Sequence, residues 1–224
     1  MLILKKVNNM NDHVKITIDT YDRIASDYIK TAVPEIREWE EESMKLFREM
    51  LPGTSVLVPG CGDGRDSRFL KVLGFSVISF DLSKEMLTQA KKYDPQGVYQ
   101  HLDIRAIRNL SGPFDGIYAS GCLYHITRSE FVDFLKAATT IMSDQGVLYL
   151  NMKIGNGNEI KTNPGKAYPG GAEARSLLKG PRYYEYYSHE ELSGFFADYT
   201  VLKWRNMEVQ KEGVHEYWLQ VCKE

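Results

Sequence analysis

The chain has 224 residues, of which 43% are hydrophobic and 26% are charged, and its formal net charge is −2. This composition is typical of a globular protein with a sizeable core, and the near-neutral charge argues against a surface built to bind nucleic acid. The sequence has no apolar run of membrane-spanning length, and its three cysteines show no metal-binding spacing. We therefore expect one domain over residues 1–224, located in the cytoplasm.

The first segment, residues 1–53, is predicted to contain two helices. Apolar residues of the first helix recur every three or four positions, which puts Tyr21 and Tyr28 on the same face. Pro34 is expected to open the second helix. The glutamates of that helix, among them Glu40, are expected to form a solvated face rather than a binding site.

Residues 54–152 alternate short apolar runs with helical patterns, which predicts a parallel sheet built from β-α-β units. The first strand ends in glycines at alternate positions, Gly60, Gly62 and Gly64, and a helical pattern begins at once. Glycines let a backbone approach a ligand closely, and a helix N-terminus favours an anion. The third glycine comes one residue too early for the dinucleotide fingerprint, which weakens a nicotinamide-cofactor interpretation.

Acidic residues end the next two predicted strands, Asp81 the second and Asp103 the third. The carboxyl ends of parallel strands meet at one edge of a sheet, so we expect these two residues to converge with Gly60 and Ser120. A carboxylate in that place suits the hydroxyls of a ribose. Taken singly, each acid could instead cap or solvate a strand end; together they indicate a cofactor site.

The helix after the glycines begins with Arg65 and Asp66, which we expect to pair on its surface without touching a ligand. The segment 153–187 is rich in glycine and has an excess of lysine and arginine. It is interpreted either as an anion-attracting lid or as a flexible surface insertion. Residues 188–224 are predicted to form a helix that opens with a capping box, followed by a β-hairpin.

This order of motifs resembles the class I S-adenosylmethionine-dependent methyltransferases, whose glycine motif has the G-x-G-x-G form of residues 60–64. The resemblance implies an α/β, Rossmann-like fold: a seven-stranded, mostly parallel sheet with helices on both faces. It also implies that the last strand is antiparallel beside the fifth and that the N-terminal helix forms a lid. The implied cofactor is S-adenosylmethionine, converted to S-adenosylhomocysteine. No metal site is expected.

In that family the strand ends and the glycine turn hold the cofactor. Asp81 would accept hydrogen bonds from both ribose hydroxyls and Asp103 one from the adenine amino group, while Leu102 or Ile104 would pack on the base. The tyrosines of the first helix would either cover the cofactor or bury their rings against the sheet. The expected cofactor-binding residues are Tyr21, Tyr28, Gly60, Cys61, Gly62, Gly64, Asp81, Leu82, Asp103, Ile104 and Ser120.

The acceptor side is less readable. His125 is the candidate general base because the ordinary pKa of histidine, about 6.5, suits proton transfer, although a packing role is the alternative. The expected substrate residues are Tyr124, Arg182, Tyr184 and Tyr187. The expected activity is methyl transfer to an O or N atom of a small molecule, with the basic segment favouring an anion.

Two other functions stay open. The tRNA wobble-uridine methyltransferases share this core and have an aromatic and basic segment like residues 182–187, so an RNA-modifying enzyme is one alternative. A non-catalytic protein that binds the cofactor only as a ligand is the other. The sequence does not predict the oligomeric state.

Overall fold

The computed structural model describes residues 12–31, 36–162, 176–209 and 212–221. The strands of these segments are β1 (Ser55–Pro59), β2 (Ser76–Asp81), β3 (Val98–His101), β4 (Phe114–Ala119), β5 (Met142–Lys153), β6 (Asn158–Lys161), β7 (Arg182–Glu185), β8 (Tyr199–Val209) and β9 (Glu212–Val221). The helices are α1 (Asp12–Thr31), α2 (Glu38–Met50), α3 (Arg65–Val72), α4 (Lys84–Tyr93), α5 (Arg128–Ile141) and α6 (His189–Phe195).

Seven strands form one sheet in the order β3-β2-β1-β4-β5-β9-β8. Strands β1 to β5 pair in parallel, and β9 is antiparallel to both β5 and β8. The register sets Pro59 beside Phe80 and Asp81 beside His101, so the carboxyl ends of β1, β2 and β3 lie next to one another. The predicted mostly parallel, Rossmann-like sheet with an antiparallel last strand is confirmed.

Helices cover both faces of this sheet. On one face, Leu57 of β1 belongs to the same buried cluster as Phe131 of α5. On the other, Val56 and Val58 belong to a cluster with Phe47 of α2 and Leu70 of α3. Because each central strand is buried on both sides, its sequence is a continuous apolar run rather than an alternating one.

The starts of two helices are as predicted, and the start of a third is not. Helices α5 and α6 begin at capping boxes that open with Thr127 and Ser188. The prediction that Pro34 opens α2 falls on a residue outside the described segments, and the helix begins at Glu38. It begins there because Arg37 is extended and its N–H donates to the Glu40 carboxylate at 2.8 Å, which closes the first turn.

The sequence pattern of residues 144–146 predicts a turn, with the fifth strand starting at Val147, but β5 begins five residues earlier, at Met142. Gln145 has φ 62° within the strand, and the pairing with β4 shifts register between Phe114 and Gly116. The turn-like residues therefore form an irregularity in a longer strand rather than a separate turn.

Helix α1 lies across the carboxyl edge of the sheet and is tied down at both sides. The Asp22 carboxylate accepts from the Ser83 hydroxyl at 2.6 Å, where α4 begins. At the other side the Thr20 hydroxyl donates to the Pro181 carbonyl at 2.7 Å, and the Tyr183 N–H donates to Thr17 at 3.0 Å. The helix thus bridges α4 and β7 over the strand ends.

The predicted basic segment is partly described. Strands β6 and β7 pair antiparallel as a small sheet of their own, with Lys161 opposite Arg182. Lys166 and Arg175 of the basic segment lie outside the described residues. None of the helices in the described segments is long and apolar enough to cross a membrane.

Candidate active site

A cavity of about 500 Å³ lies between α1, the strand ends and β7, within the usual size range of small-molecule sites. Its lining has a polar part from the strand ends and an aromatic part from α1, β7 and the turn after β4. Of the predicted site residues, its lining contains Tyr21, Tyr28, Gly60, Cys61, Gly62, Asp81, Leu82, Asp103, Ile104, Ser120, Tyr124, His125, Arg182 and Tyr184.

The three glycines of the turn have different roles. All have positive φ, 60° at Gly60, 55° at Gly62 and 75° at Gly64. A Cβ atom added at Gly60 would lie 2.4 Å from the Cβ of Cys122, and one at Gly64 would lie 2.6 Å from the Tyr99 hydroxyl. A Cβ at Gly62 would meet nothing within 4 Å. Only at Gly62, therefore, does the missing side chain leave open space for a ligand.

Asp81 fixes this turn from the end of β2. Its Oδ2 accepts from the Gly62 N–H at 2.8 Å, and its Oδ1 accepts from the Ser83 N–H at 2.8 Å. Burial raises the pKa of Asp81 above its ordinary value, against those hydrogen bonds. Each oxygen keeps lone-pair capacity for a ligand hydroxyl, so one side chain both shapes the turn and lines the cavity.

Asp103 is oriented by a single arginine. The Arg105 Nε lies 3.0 Å from both carboxylate oxygens, and Asp103 Oδ1 also accepts from the Arg105 N–H at 2.9 Å. Ile104 and Leu82 line the cavity beside it. Asn151 of β5 holds the turn that follows β4. It donates to the Ser120 hydroxyl at 3.2 Å and accepts from the Gly121 N–H at 2.8 Å.

Arg65 and Asp66 pair as expected, since the Arg65 Nε donates to Asp66 Oδ1 at 2.9 Å, but the pair is half-buried rather than on the helix surface. Both residues line the cavity, and Arg65 also donates to Glu40 at 2.8 Å. Glu40 is 3% exposed, so the prediction of a solvated glutamate face is wrong at this position. Burial opposes its charge, but hydrogen bonds and charge from Arg37 and Arg65 lower the pKa of Glu40 overall. Helix α2 brings these charges together, which no local sequence pattern shows.

Tyr21 and His125 meet in the aromatic part of the cavity. The His125 Nδ1 lies 2.6 Å from the Tyr183 carbonyl oxygen, which can only accept, so Nδ1 carries the proton. Its Nε2 then accepts from the Tyr21 hydroxyl at 3.0 Å. Desolvation, with further contributions from the charges of Arg182 and Lys153, lowers the pKa of His125 to about 3 despite the carbonyl contact. His125 is therefore neutral at working pH.

Tyrosines and cations surround this pair. The rings of Tyr124 and Tyr184 stack at 21° with centroids 5.8 Å apart. The Lys153 ammonium lies 5.3 Å and 5.5 Å from those two centroids. The Arg182 guanidinium lies 5.5 Å from the centroid of Tyr21. This end of the cavity is thus aromatic and positively charged.

Two predicted site residues lie elsewhere. Gly64 packs against Tyr99, because a Cβ at Gly64 would lie 2.6 Å from the Tyr99 hydroxyl. Tyr187 is fully buried, with its ring 5.5 Å from that of Phe131, so it belongs to the core and does not line the cavity. The two-residue alternation of a strand explains why Tyr184 lines the cavity and Tyr187 does not. Arg182, Tyr184 and Tyr186 line the cavity, and the residues between them point into the protein.

Comparison with known proteins identifies the fold. Residues 56–146 match a family model described as a methyltransferase domain. The CcbJ methyltransferase of Streptomyces caelestis has a similar fold, with a TM-score of 0.70 and 15% identity over 92% of this chain and 99% of that one. The chain is thus similar to S-adenosylmethionine-dependent methyltransferases in the sequence of residues 56–146 and in its fold.

Two further proteins similar to this chain are informative. A 1,6-didemethyltoxoflavin-N1-methyltransferase of Burkholderia thailandensis, solved with 1,6-didemethyltoxoflavin and S-adenosylhomocysteine, has a TM-score of 0.62 and 16% identity, covering 99% of this chain and 94% of that one. A malonyl-[acyl-carrier protein] O-methyltransferase of Enterobacter lignolyticus is 37% identical over 86 residues. That match covers 37% of this chain, which spans about a third (34%) of that relative's length.

S-adenosylmethionine is the cofactor that these similarities indicate, and the lining of the cavity fits it. The space at Gly62 admits a ligand against the backbone, and Asp81 and Asp103 offer acceptors for hydroxyl and amino groups. Arg65 and Glu40 offer one charge of each sign beside the turn. Within the described segments, no group of three or more histidine, cysteine, aspartate or glutamate side chains could hold a metal ion.

Proposed function

We propose that this chain transfers the methyl group of S-adenosylmethionine to an O or N atom of a small molecule. The observation that carries the proposal is that one cavity joins the turn at Gly62 to the aromatic end at Tyr21 and His125. When bound, the cofactor would supply an electrophilic methyl carbon, to which an acceptor lone pair bonds in line as the bond to sulfur breaks and S-adenosylhomocysteine leaves. The chain's task is to hold donor and acceptor together, and good orientation is worth up to about 7–11 kcal/mol.

The donor side would be held by residues of the strand ends. Asp81 would accept the ribose hydroxyls with its remaining lone pairs, and Asp103 the adenine amino group, with Ile104 packed on the base. Arg65 and Glu40 would face the carboxylate and the ammonium group of the methionine moiety. Glu40 thus joins the proposed site although its sequence position gave no sign of it.

His125 keeps its proposed role in proton transfer, but through Tyr21. Its Nε2 already accepts from the Tyr21 hydroxyl, so an acceptor would lose its proton to the Tyr21 oxygen while the Tyr21 proton passes to Nε2. Desolvation, and after it the positive charges of Arg182 and Lys153, hold the pKa of His125 at about 3, which makes it a weak base. A nucleophile that is already deprotonated, such as a carboxylate, would not need this step.

The test is transfer of a labelled methyl group from S-adenosylmethionine by the purified chain. A metabolite mixture and total tRNA are offered in separate reactions, and labelled products are separated by mass. Label in a small molecule supports the proposal. Label in tRNA alone, with binding that falls steeply with salt, would show an RNA-modifying enzyme instead. Binding of S-adenosylhomocysteine without transfer to either would show a cofactor-binding protein without activity.

A further inference from the structure

Arg182 is a deeply buried cation at the aromatic end of the cavity. It is 3% exposed and lines the cavity together with Tyr21 and Tyr184. One of its terminal nitrogens donates to the Leu178 carbonyl at 3.1 Å, and its guanidinium faces the Tyr21 ring. Its Nε has no hydrogen-bond partner in the part of the chain that the structure describes.

Other partly buried arginines in the described segments are paired with carboxylates. Arg65 pairs with Glu40 at 2.8 Å, Arg128 pairs with Glu185, and Arg205 pairs with Glu216. Arg182 forms no ion pair with an acidic residue of the described segments. Burying a charge without a partner costs several kcal/mol, which a bound anion would offset.

In the part of the chain that the structure describes, acidic residues line only the donor side of the cavity. They are Glu40, Asp63, Asp66, Asp81 and Asp103, on α2, on α3 and near the carboxyl ends of β1, β2 and β3, and Arg37, Arg65 and Arg68 lie among them. The aromatic end has Arg182 and Lys153, and both charges act on His125. An anionic ligand is therefore attracted to the aromatic end, away from the protein carboxylates on the donor side.

The shape of this end restricts the rest of the ligand. The stacked rings of Tyr124 and Tyr184 present an aromatic wall, which favours a flat, unsaturated body. The cavity of about 500 Å³ has to hold the methyl donor as well, so the acceptor is small. A guanidinium fork matches the two oxygens of a carboxylate or a phosphate.

We propose that the methyl acceptor is a small planar molecule with an anionic oxygen group that pairs with Arg182, its ring lying against Tyr124 and Tyr184. This inference rests on the proposed function, because it names the substrate class of the same site.

The experiment measures binding of small probes to the complex of the wild-type chain with S-adenosylhomocysteine by calorimetry. The probes are benzoate, cinnamate and phenyl phosphate, each against a neutral analogue: benzamide, cinnamamide and phenol. A charge-assisted pair of about 1.5–3 kcal/mol predicts that the anions bind about 10–100-fold more tightly. Comparison of benzoate with phenyl phosphate decides between carboxylate and phosphate.

Arg182→Gln should remove this preference and leave the affinity for S-adenosylhomocysteine unchanged. Lys179→Gln is the matched control, because it removes an exposed positive charge three residues away. Equal binding of anions and neutral analogues by the wild-type chain, or no binding of any probe at roughly millimolar concentration, would overturn the inference even if Arg182→Gln fails to fold. Failure to bind S-adenosylhomocysteine would instead overturn the proposed function.

Discussion

The Tyr21 hydroxyl donates to the Nε2 of His125 at 3.0 Å, and this contact joins the N-terminal helix to the turn after β4. The other ring nitrogen, Nδ1, is held by the Tyr183 carbonyl at 2.6 Å. His125 is thus fixed in one tautomer, with its lone pair directed at a phenol that lines the cavity. The pair can take up a proton from an acceptor only as a unit.

Removing the Tyr21 hydroxyl should lower turnover without weakening cofactor binding. With an acceptor identified by label transfer, Tyr21→Phe should reduce kcat about 100-fold if the acceptor atom is a hydroxyl or amine, since general-base catalysis contributes about that much. KM should change little. A carboxylate acceptor should be unaffected. Tyr28→Phe, two turns along the same helix, is the control, and an equal loss in both variants would contradict the assignment.

His125 should stay neutral over the physiological pH range. Its pKa of about 3 lies below the ordinary 6.5, so the unfolded chain takes up a proton first and stability falls as pH drops from 6.5 toward 3. NMR of the ring nitrogens should show no titration of His125 between pH 5 and 8. A protonation midpoint near 6.5, removed by His125→Asn, would contradict the structure.

Glu130 should make the fold sensitive to acid in a lower pH window. It accepts from Thr127 and pairs with His13 at 2.9 Å and with Arg105 at 3.1 Å. Burial opposes the charge, but these hydrogen bonds lower the pKa of Glu130 from 4.5 to about 2. The stabilisation is present above pH 4.5 and lost as pH falls toward 2, on the order of 2 kcal/mol.

Urea unfolding at several pH values checks this expectation. Glu130→Gln keeps an oxygen for the capping box but loses the charge, so its stability should vary less between pH 4.5 and pH 2 than that of the wild-type chain. Identical pH profiles for the two proteins would show that Glu130 does not carry this dependence.

Alanine substitutions at two glycines of the turn should separate an effect on stability from an effect on cofactor binding. Gly60→Ala would drive a methyl group into Cys122, so its melting temperature should fall by several degrees. Gly62→Ala has the same strain from positive φ, about 1 kcal/mol, but no clash, so its main effect should be on cofactor affinity. Melting and S-adenosylhomocysteine binding are measured on both variants; matching losses in both would refute the distinction.

The sequence was sufficient to predict the sheet and the meeting of Asp81 and Asp103 with the glycine turn at one edge of it. Buried parallel strands give apolar runs, and their carboxyl ends must meet, so the residue pattern alone places Asp81 and Asp103 together with the glycine turn. The positive φ at the three glycines agrees with a turn that other residues adopt with strain.

The remaining site depends on how distant segments pack. Glu40 enters the cavity because α2 crosses the glycine turn and meets Arg65, a contact between residues with no local relationship. Tyr184 and Tyr187 were indistinguishable as aromatic residues in one segment. A two-residue alternation from Arg182 would have separated them, since it assigns Tyr184 to the cavity and Tyr187 to the opposite side.

The central claim, that this cavity holds the methyl donor, is tested most directly by calorimetric titration of S-adenosylhomocysteine into the purified chain. We predict one binding site per chain, with affinity lowered at least about tenfold by Asp81→Asn and unchanged by Asp133→Ala, which alters an exposed carboxylate on α5. No binding by the wild-type chain, or full affinity in Asp81→Asn, would contradict the account.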